Sequence, residues 1–210
     1  MAAMTTASEV DGPLAILTFN RPEARNAMTW DMYEALVHAC DRVDGDAAVR
    51  VLVLRGAGGG AFVAGTDILA VSRAFTTPGD GLSYEKRLDA ALDRLERLTK
   101  PAIAQVEGCR RRRRLRDCDL AATCAIATPS STFGVPIART LGNCSSGATC
   151  SRLVDLLGPA ARQGASSSPA DMLGAADAHA MGLVNQVVAA SDIAAVVREL
   201  AHEIAGGMRR

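Results

Sequence analysis

Residues Ala61-Phe62-Val63-Ala64-Gly65-Thr66-Asp67-Ile68 follow a run, Val49-Arg50-Val51-Leu52-Val53-Leu54, that reads as a buried strand. A strand that enters a Gly-containing turn and then a polar residue presents bare backbone N–H groups to a ligand. Such groups stabilise a developing oxyanion without titrating. The same pattern also serves simply to turn the chain. A second strand-to-turn unit, Lys100–Gly108, adds weight to the chemical reading. Asp67 is the nearest carboxylate to the turn, and a role in fixing the turn is favoured over catalysis.

These units need elements to hold them. Ala15–Phe19 reads as a strand stopped by Asn20-Arg21-Pro22. Thr29 is an N-cap candidate for a helix from Trp30 to about Asp44, with Met32, Leu36, Ala39 and Val43 on one face. Gly56–Gly60 reads as a loop and 71–82 as irregular. An amphipathic helix is expected over about Ser83–Leu98 and a strand over Ala102–Val106. Residues 126–137 read as a short strand and loop, Ser151–Leu157 as helix, and 164–169 as loop. Asp171–Gly182 reads as a helix with a Gly C-cap, Leu183–Val188 as a strand, and Asp192–Ile204 as a terminal helix. Strands alternating with helices predict an α/β domain with parallel pairing. Its length suits a single domain spanning 1–210.

The 23 basic and 23 acidic residues cancel, so net charge gives no case for nucleic acid or an anionic membrane. Six of the basic residues fall within Arg110–Arg116. With no interleaved aromatics, that run reads as solvated rather than as a nucleic-acid site. Aromatic residues make up 3% of the chain, so the core must be mostly aliphatic. The six cysteines form no CxxC pair and no zinc spacing. They are expected to be core or free thiols, with Cys144 and Cys150 favoured as core thiols. No apolar run is long enough to span a membrane and no signal pattern opens the chain, which predicts a cytoplasmic protein. His179 reads as packing or surface, Ser130-Ser131-Thr132 as turn chemistry, and Pro136 as a bend.

In order along the chain stand Leu17–Met28, Ala61–Ile68, Lys100–Gly108, Phe133-Gly134-Val135-Pro136 and Ala178–Asn185. Together they resemble the enoyl-CoA hydratase/isomerase (crotonase) superfamily. The resemblance implies a ββα spiral that assembles as homotrimers or hexamers. It also implies acyl-CoA thioesters as substrates, with no cofactor or metal. By motif position Thr66 would supply the first of two oxyanion N–H groups. Arg25, Asn26, Ala27, Ala64, Gly65, Asp67 and Ile68 would line the CoA groove.

The chain departs from that pattern after Gly108. Where the family has a Gly-Gly-Gly turn that supplies the second donor, here stands Arg110–Arg114, with Arg112 at the glycine position. Glycine lets a backbone approach a ligand closely, and arginine does not. Losing one such donor costs about 3–4 kcal/mol, or about 100- to 1000-fold in rate. The two hydratase glutamates would fall near Arg116 and at Ile137, and Ile137 cannot serve as a base. The chain also stops at Arg210, where the family continues into further C-terminal helices, so that region is expected to be truncated. As written, the chain is expected to be impaired as an enoyl-CoA hydratase or isomerase. The alternative is a non-catalytic CoA-thioester binder or oligomer subunit. Degenerate codons permit a further reading, a shifted reading frame. Arginine CGN codons read one nucleotide later allow Val-Gly-Gly-Gly-Ala at 110–114. Comparable shifts allow an amphipathic helix at 162–168 and a longer C-terminus. The codons of the gene decide between these readings.

Overall fold

The computed structural model describes residues 6–67, 77–108, 122–134, 147, 151–152, 154–156, 158 and 173–207. A period-two pattern builds its main sheet. In β2 (Leu14–Phe19), β3 (Val51–Gly56), β4 (Ala102–Val106) and β5 (Cys124–Ala127), alternate side chains face opposite sides. Leu17, Phe19, Leu52, Leu54 and Ala104 enter one core, while Leu14, Ile16, Val51, Val53, Ile103 and Ile126 enter the other. With both faces covered, these strands read as continuous apolar runs, as parallel strands do.

Strands β2 to β5 pair in parallel in chain order, and β8 (Gln186–Val187) adds at the β5 side. Laying each strand beside its predecessor in one direction keeps right-handed crossovers on one face. Helices α1 (Trp30–Gly45) and α2 (Pro78–Glu96) accordingly share the first core. The opposite face is closed by α4 (Ile193–Gly207), through a stripe at Ile193, Val197, Ala201 and Ala205. Two short strands, β6 (Thr132–Phe133) and β7 (Leu173–Gly174), form a separate antiparallel pair that leads into α3 (Ala175–Ala180). The α/β architecture with parallel pairing is as the sequence predicts.

Helix α1 begins where Thr29 accepts a long hydrogen bond from the Met32 N–H, at 3.4 Å. At its other end the Lys100 ammonium donates to the carbonyls of Val43, Asp46 and Val49 at 2.5, 2.7 and 2.7 Å. A cation there satisfies carbonyls that the helix end leaves open and complements its dipole. Helix α3 ends in a Schellman turn. The Gly182 N–H bonds the His179 carbonyl, the Leu183 N–H bonds the Ala178 carbonyl, and Gly182 takes φ 82°. His179 Nδ1 lies 2.8 Å from the Val184 carbonyl, so its role in this turn is structural.

The two helices on the first face are joined by charge. Arg94 of α2 bonds Asp41 and Asp44 of α1 at 2.8 and 2.7 Å, and Thr99 adds a 2.6 Å hydroxyl bond to Asp44. Burial opposes the Asp44 charge, but bonds from Thr99 and Arg94 outweigh it and hold the carboxyl below its ordinary value of 3.8. A depressed folded value means that this contribution to stability is present above pH 3.8 and is lost as pH falls through the folded value. Asp44→Asn is therefore expected to lower the urea midpoint at neutral pH and to show no deficit below both values. An equal deficit at both pH values would contradict this. Beside it, burial pushes the fully buried Cys40 thiol up to about 11, so it is unreactive at neutral pH. Cys40 and Cys124 are both free thiols, as expected.

Several boundaries differ from the sequence reading. Helix α2 starts at Pro78, not near Ser83, because Thr77 and Asp80 form a reciprocal capping box with Pro78 in the first turn. Strand β3 starts at Val51 rather than Val49, and Ala57–Gly59 form a single 3-10 turn inside the expected loop. The expected helix over Asp171–Gly182 is shorter, since Leu173–Gly174 pair with β6 instead. Of the strand expected over Leu183–Val188, only Gln186–Val187 pair. Strand β1 (Thr6–Asp11), antiparallel to β2 at the sheet edge, was not expected from the sequence. Arg110–Arg114, Arg116, Ile137, Cys144, Cys150 and 164–169 lie outside the described residues.

Candidate active site

The site forms beyond the carboxyl ends of β2, β3 and β4, where parallel sheets place ligands. After β2, a 3-10 turn at Pro22–Ala24 runs into Arg25 and Asn26, both left-handed with φ 54° and 56°. Asparagine tolerates this conformation better than most residues. Asn26 is fully buried, and its side-chain oxygen and both amide hydrogens are engaged. Its Oδ1 accepts from the Arg21 N–H at 2.8 Å, and its Nδ2 donates to the carbonyls of Ala57 and Ala61 at 3.0 and 2.7 Å. The segment after β2 is thereby pinned to the segment after β3.

These segments then run in parallel. The Ala64 N–H bonds the Arg25 carbonyl at 3.1 Å, the Met28 N–H bonds the Gly65 carbonyl at 2.8 Å, and the Asp67 N–H bonds the Met28 carbonyl at 2.9 Å. Gly65 takes φ 91°, open only to glycine without strain. The Gly65 carbonyl and the Thr66 N–H belong to one trans peptide, so they point in opposite directions. Because the carbonyl faces Met28, the Thr66 N–H faces away from it. Among the described residues no backbone carbonyl takes that N–H.

The Thr66 side chain turns toward the helices. Tyr84 OH donates to its Oγ1 at 2.9 Å, and Tyr33 OH lies 2.9 Å from the same oxygen. Arg21 braces the outer edge, donating from Nη1 to the Ala27 carbonyl at 2.8 Å and to Asp67 Oδ2 at 3.1 Å. That ion pair agrees with a turn-fixing role for Asp67. Past β4, the Gly108 N–H bonds Thr128 Oγ1 at 3.0 Å. A Cβ on Gly108 would lie 2.6 Å from Ser130 Oγ. Ser131 is equally structural: its hydroxyl donates to the Val106 carbonyl and its N–H donates to the Thr128 carbonyl, as the turn reading predicts.

Of the sequence candidates, Arg25, Asn26, Ala27, Ala64, Gly65, Thr66 and Asp67 are brought together here. Arg25 is exposed, Ala64 and Thr66 are half-buried, and Asn26 is a buried brace rather than a surface lining. Ile68 and Arg112 lie outside the described residues. The sequence reading missed Arg21, Tyr33 and Tyr84. Arg21 stood in the quoted strand-end motif, but nothing in local spacing marks the two tyrosines. Among the described residues no cluster of three metal-ligating side chains occurs, and no helix is long and apolar enough to cross a membrane.

A family model described as enoyl-CoA hydratase/isomerase matches residues 9–209. The crotonyl-CoA hydratase of Syntrophomonas wolfei is 32% identical over 203 residues, covering 93% of this chain and 74% of that protein. The enoyl-CoA hydratase EchA19 of Mycobacterium tuberculosis is 48% identical over 101 residues, which is 46% of this chain and 36% of that protein. Among solved structures, an enoyl-CoA hydratase/carnithine racemase from Magnetospirillum magneticum superposes with a TM-score of 0.88. It is 26% identical and covers 98% of this chain and 76% of that one. The family model over residues 9–209 and the 32%-identical relative agree, and the chain belongs to the enoyl-CoA hydratase/isomerase family of the crotonase superfamily.

Proposed function

We propose that this chain binds an acyl-CoA thioester with its carbonyl oxygen at the Thr66 N–H, in chemistry of the hydratase or isomerase type. The observation that carries the reading is the direction of that N–H, away from Met28 and with no backbone acceptor among the described residues, fixed by the Met28 to Gly65 bond. A thioester oxygen gains charge as an enolate forms. A prealigned backbone dipole stabilises that charge without reorganising. Arg25, exposed beside the turn, is suited to the CoA phosphates, while Ala27, Ala64 and Gly65 line the approach and Asn26 holds it in shape. The resemblance puts a second donor at the Arg112 position, where arginine hinders close backbone approach, so turnover is expected to be impaired; Asp67 and Ile68 are proposed to line the same groove. No cofactor is required, and the working form is a homotrimer or hexamer.

A second reading is binding without turnover. Arg112 at the position that the resemblance gives to glycine, and Ile137 at the position that it gives to a hydratase carboxylate, favour it. Titration with crotonyl-CoA, with free CoA as the comparison, tests both. Tighter binding of the thioester than of CoA is expected. Hydration on top of binding supports the enzyme, and binding alone supports the second reading. Equal or absent binding of both ligands would overturn both readings.

A further inference from the structure

We propose that Tyr33 and Tyr84 are positioning residues that set the direction of the Thr66 N–H, an inference that rests on the oxyanion reading above. The peptide between Gly65 and Thr66 carries the donor. Its glycine end is held by the Met28 N–H at 2.8 Å, but glycine itself resists rotation weakly. The threonine end is held by its own side chain. Two phenol hydroxyls, from α1 and α2, converge on the single Oγ1 at 2.9 Å each. A threonine hydroxyl has two lone pairs and one proton, so it serves both at once.

Both tyrosines are rigidly seated. Tyr33 is 4% exposed and Tyr84 8%. The Trp30 ring packs on both, at centroid distances of 5.7 and 5.4 Å, and the Arg87 guanidinium lies 4.1 Å over the Trp30 ring. The two helices are also tied by Arg87 to Glu34 and by Arg94 to Asp41 and Asp44. The two part-buried bonds anchor the Thr66 end of the peptide to two fixed helices, while the Met28 N–H holds the carbonyl that sets the plane. The donor is clamped from both ends before the ligand arrives. Preorganised direction of this kind governs how strongly an N–H polarises a carbonyl.

The test uses the full chain and crotonyl-CoA labelled with carbon-13 at the thioester carbonyl. Isotope-edited infrared reads the carbonyl stretch, which falls in frequency as the bond is polarised. The parent chain is expected to lower the stretch of the bound thioester. With thioester at saturating concentration, Tyr33→Phe with Tyr84→Phe, and separately Thr66→Val, should each lose about half or more of that lowering. Thr66→Ser, which keeps the hydroxyl, should retain it. The Thr66→Val and Thr66→Ser pair reads the same effect should the double tyrosine variant not fold. An unchanged stretch in the variants, with the parent still polarising its ligand, overturns this inference and leaves the proposed function standing. A parent chain that binds no thioester, or binds it without lowering the stretch, overturns the proposed function and this inference with it.

Discussion

Asn26→Ala is expected to destabilise the fold by about 3–5 kcal/mol in urea unfolding, a large share of the roughly 5–15 kcal/mol available to such a domain. The substitution removes one acceptor and two donations at a position with no exposure. The Arg21 N–H and the carbonyls of Ala57 and Ala61 would lose that partner. A buried polar group without a partner costs about 1–3 kcal/mol. Alanine also tolerates φ 56° less well than asparagine, which adds about 1 kcal/mol. The bonds broken join the segments that carry Arg25 and Ala64, so thioester binding should fall with stability. A loss below about 1 kcal/mol would show that the corner relaxes without its brace.

Gly56→Ala is expected to be as damaging for a steric reason. A Cβ on Gly56 would lie 2.3 Å from the Ala61 carbonyl oxygen, 2.5 Å from that of Phe62 and 2.7 Å from Asn26 Nδ2. None of the three is the free end of a flexible side chain. Two are backbone oxygens, and the third is the amide that bonds the Ala57 and Ala61 carbonyls. The whole turn between β3 and Thr66 must shift to admit one methyl group, at a cost of about 3 kcal/mol or more. Gly45→Ala, at the last residue of α1, is the control. An added Cβ there meets nothing within 4 Å, so the change should be close to neutral or mildly stabilising. Similar losses in both variants, read from urea midpoints, would contradict the steric account.

The sequence carried the central strands because burial on both faces leaves long apolar runs, and β4 was expected with the bounds it has. Helix α1 was legible through Thr29 and its apolar stripe. Strand β1 was not, since five of its six residues are exposed and no alternation marks it. The start of α2 was written in Thr77-Pro78-Gly79-Asp80, but two glycines within the first turn obscured a capping signal that the geometry makes plain. Strand β7 pairs through two residues only, which is too short for a pattern.

The turn at Gly65 and Thr66 was readable because a strand entering a glycine turn is a local arrangement. The direction of the proposed donor was not. It depends on which way one peptide faces, and that is set by Met28, from a segment distant in sequence. The convergence of Tyr33 and Tyr84 is likewise a product of how α1 and α2 pack. Asn26 looked like a lining residue on motif grounds, and its burial and three bonds make it a brace.

The claim on which the functional account turns is that the Thr66 backbone N–H receives a thioester oxygen. The most direct measurement is the amide proton resonance of Thr66 in nitrogen-15-labelled protein, followed through titrations with crotonyl-CoA and with free CoA. The account predicts a downfield shift that saturates with the thioester and is absent with CoA. A thioester that binds while the Thr66 amide stays where free CoA leaves it would contradict the account.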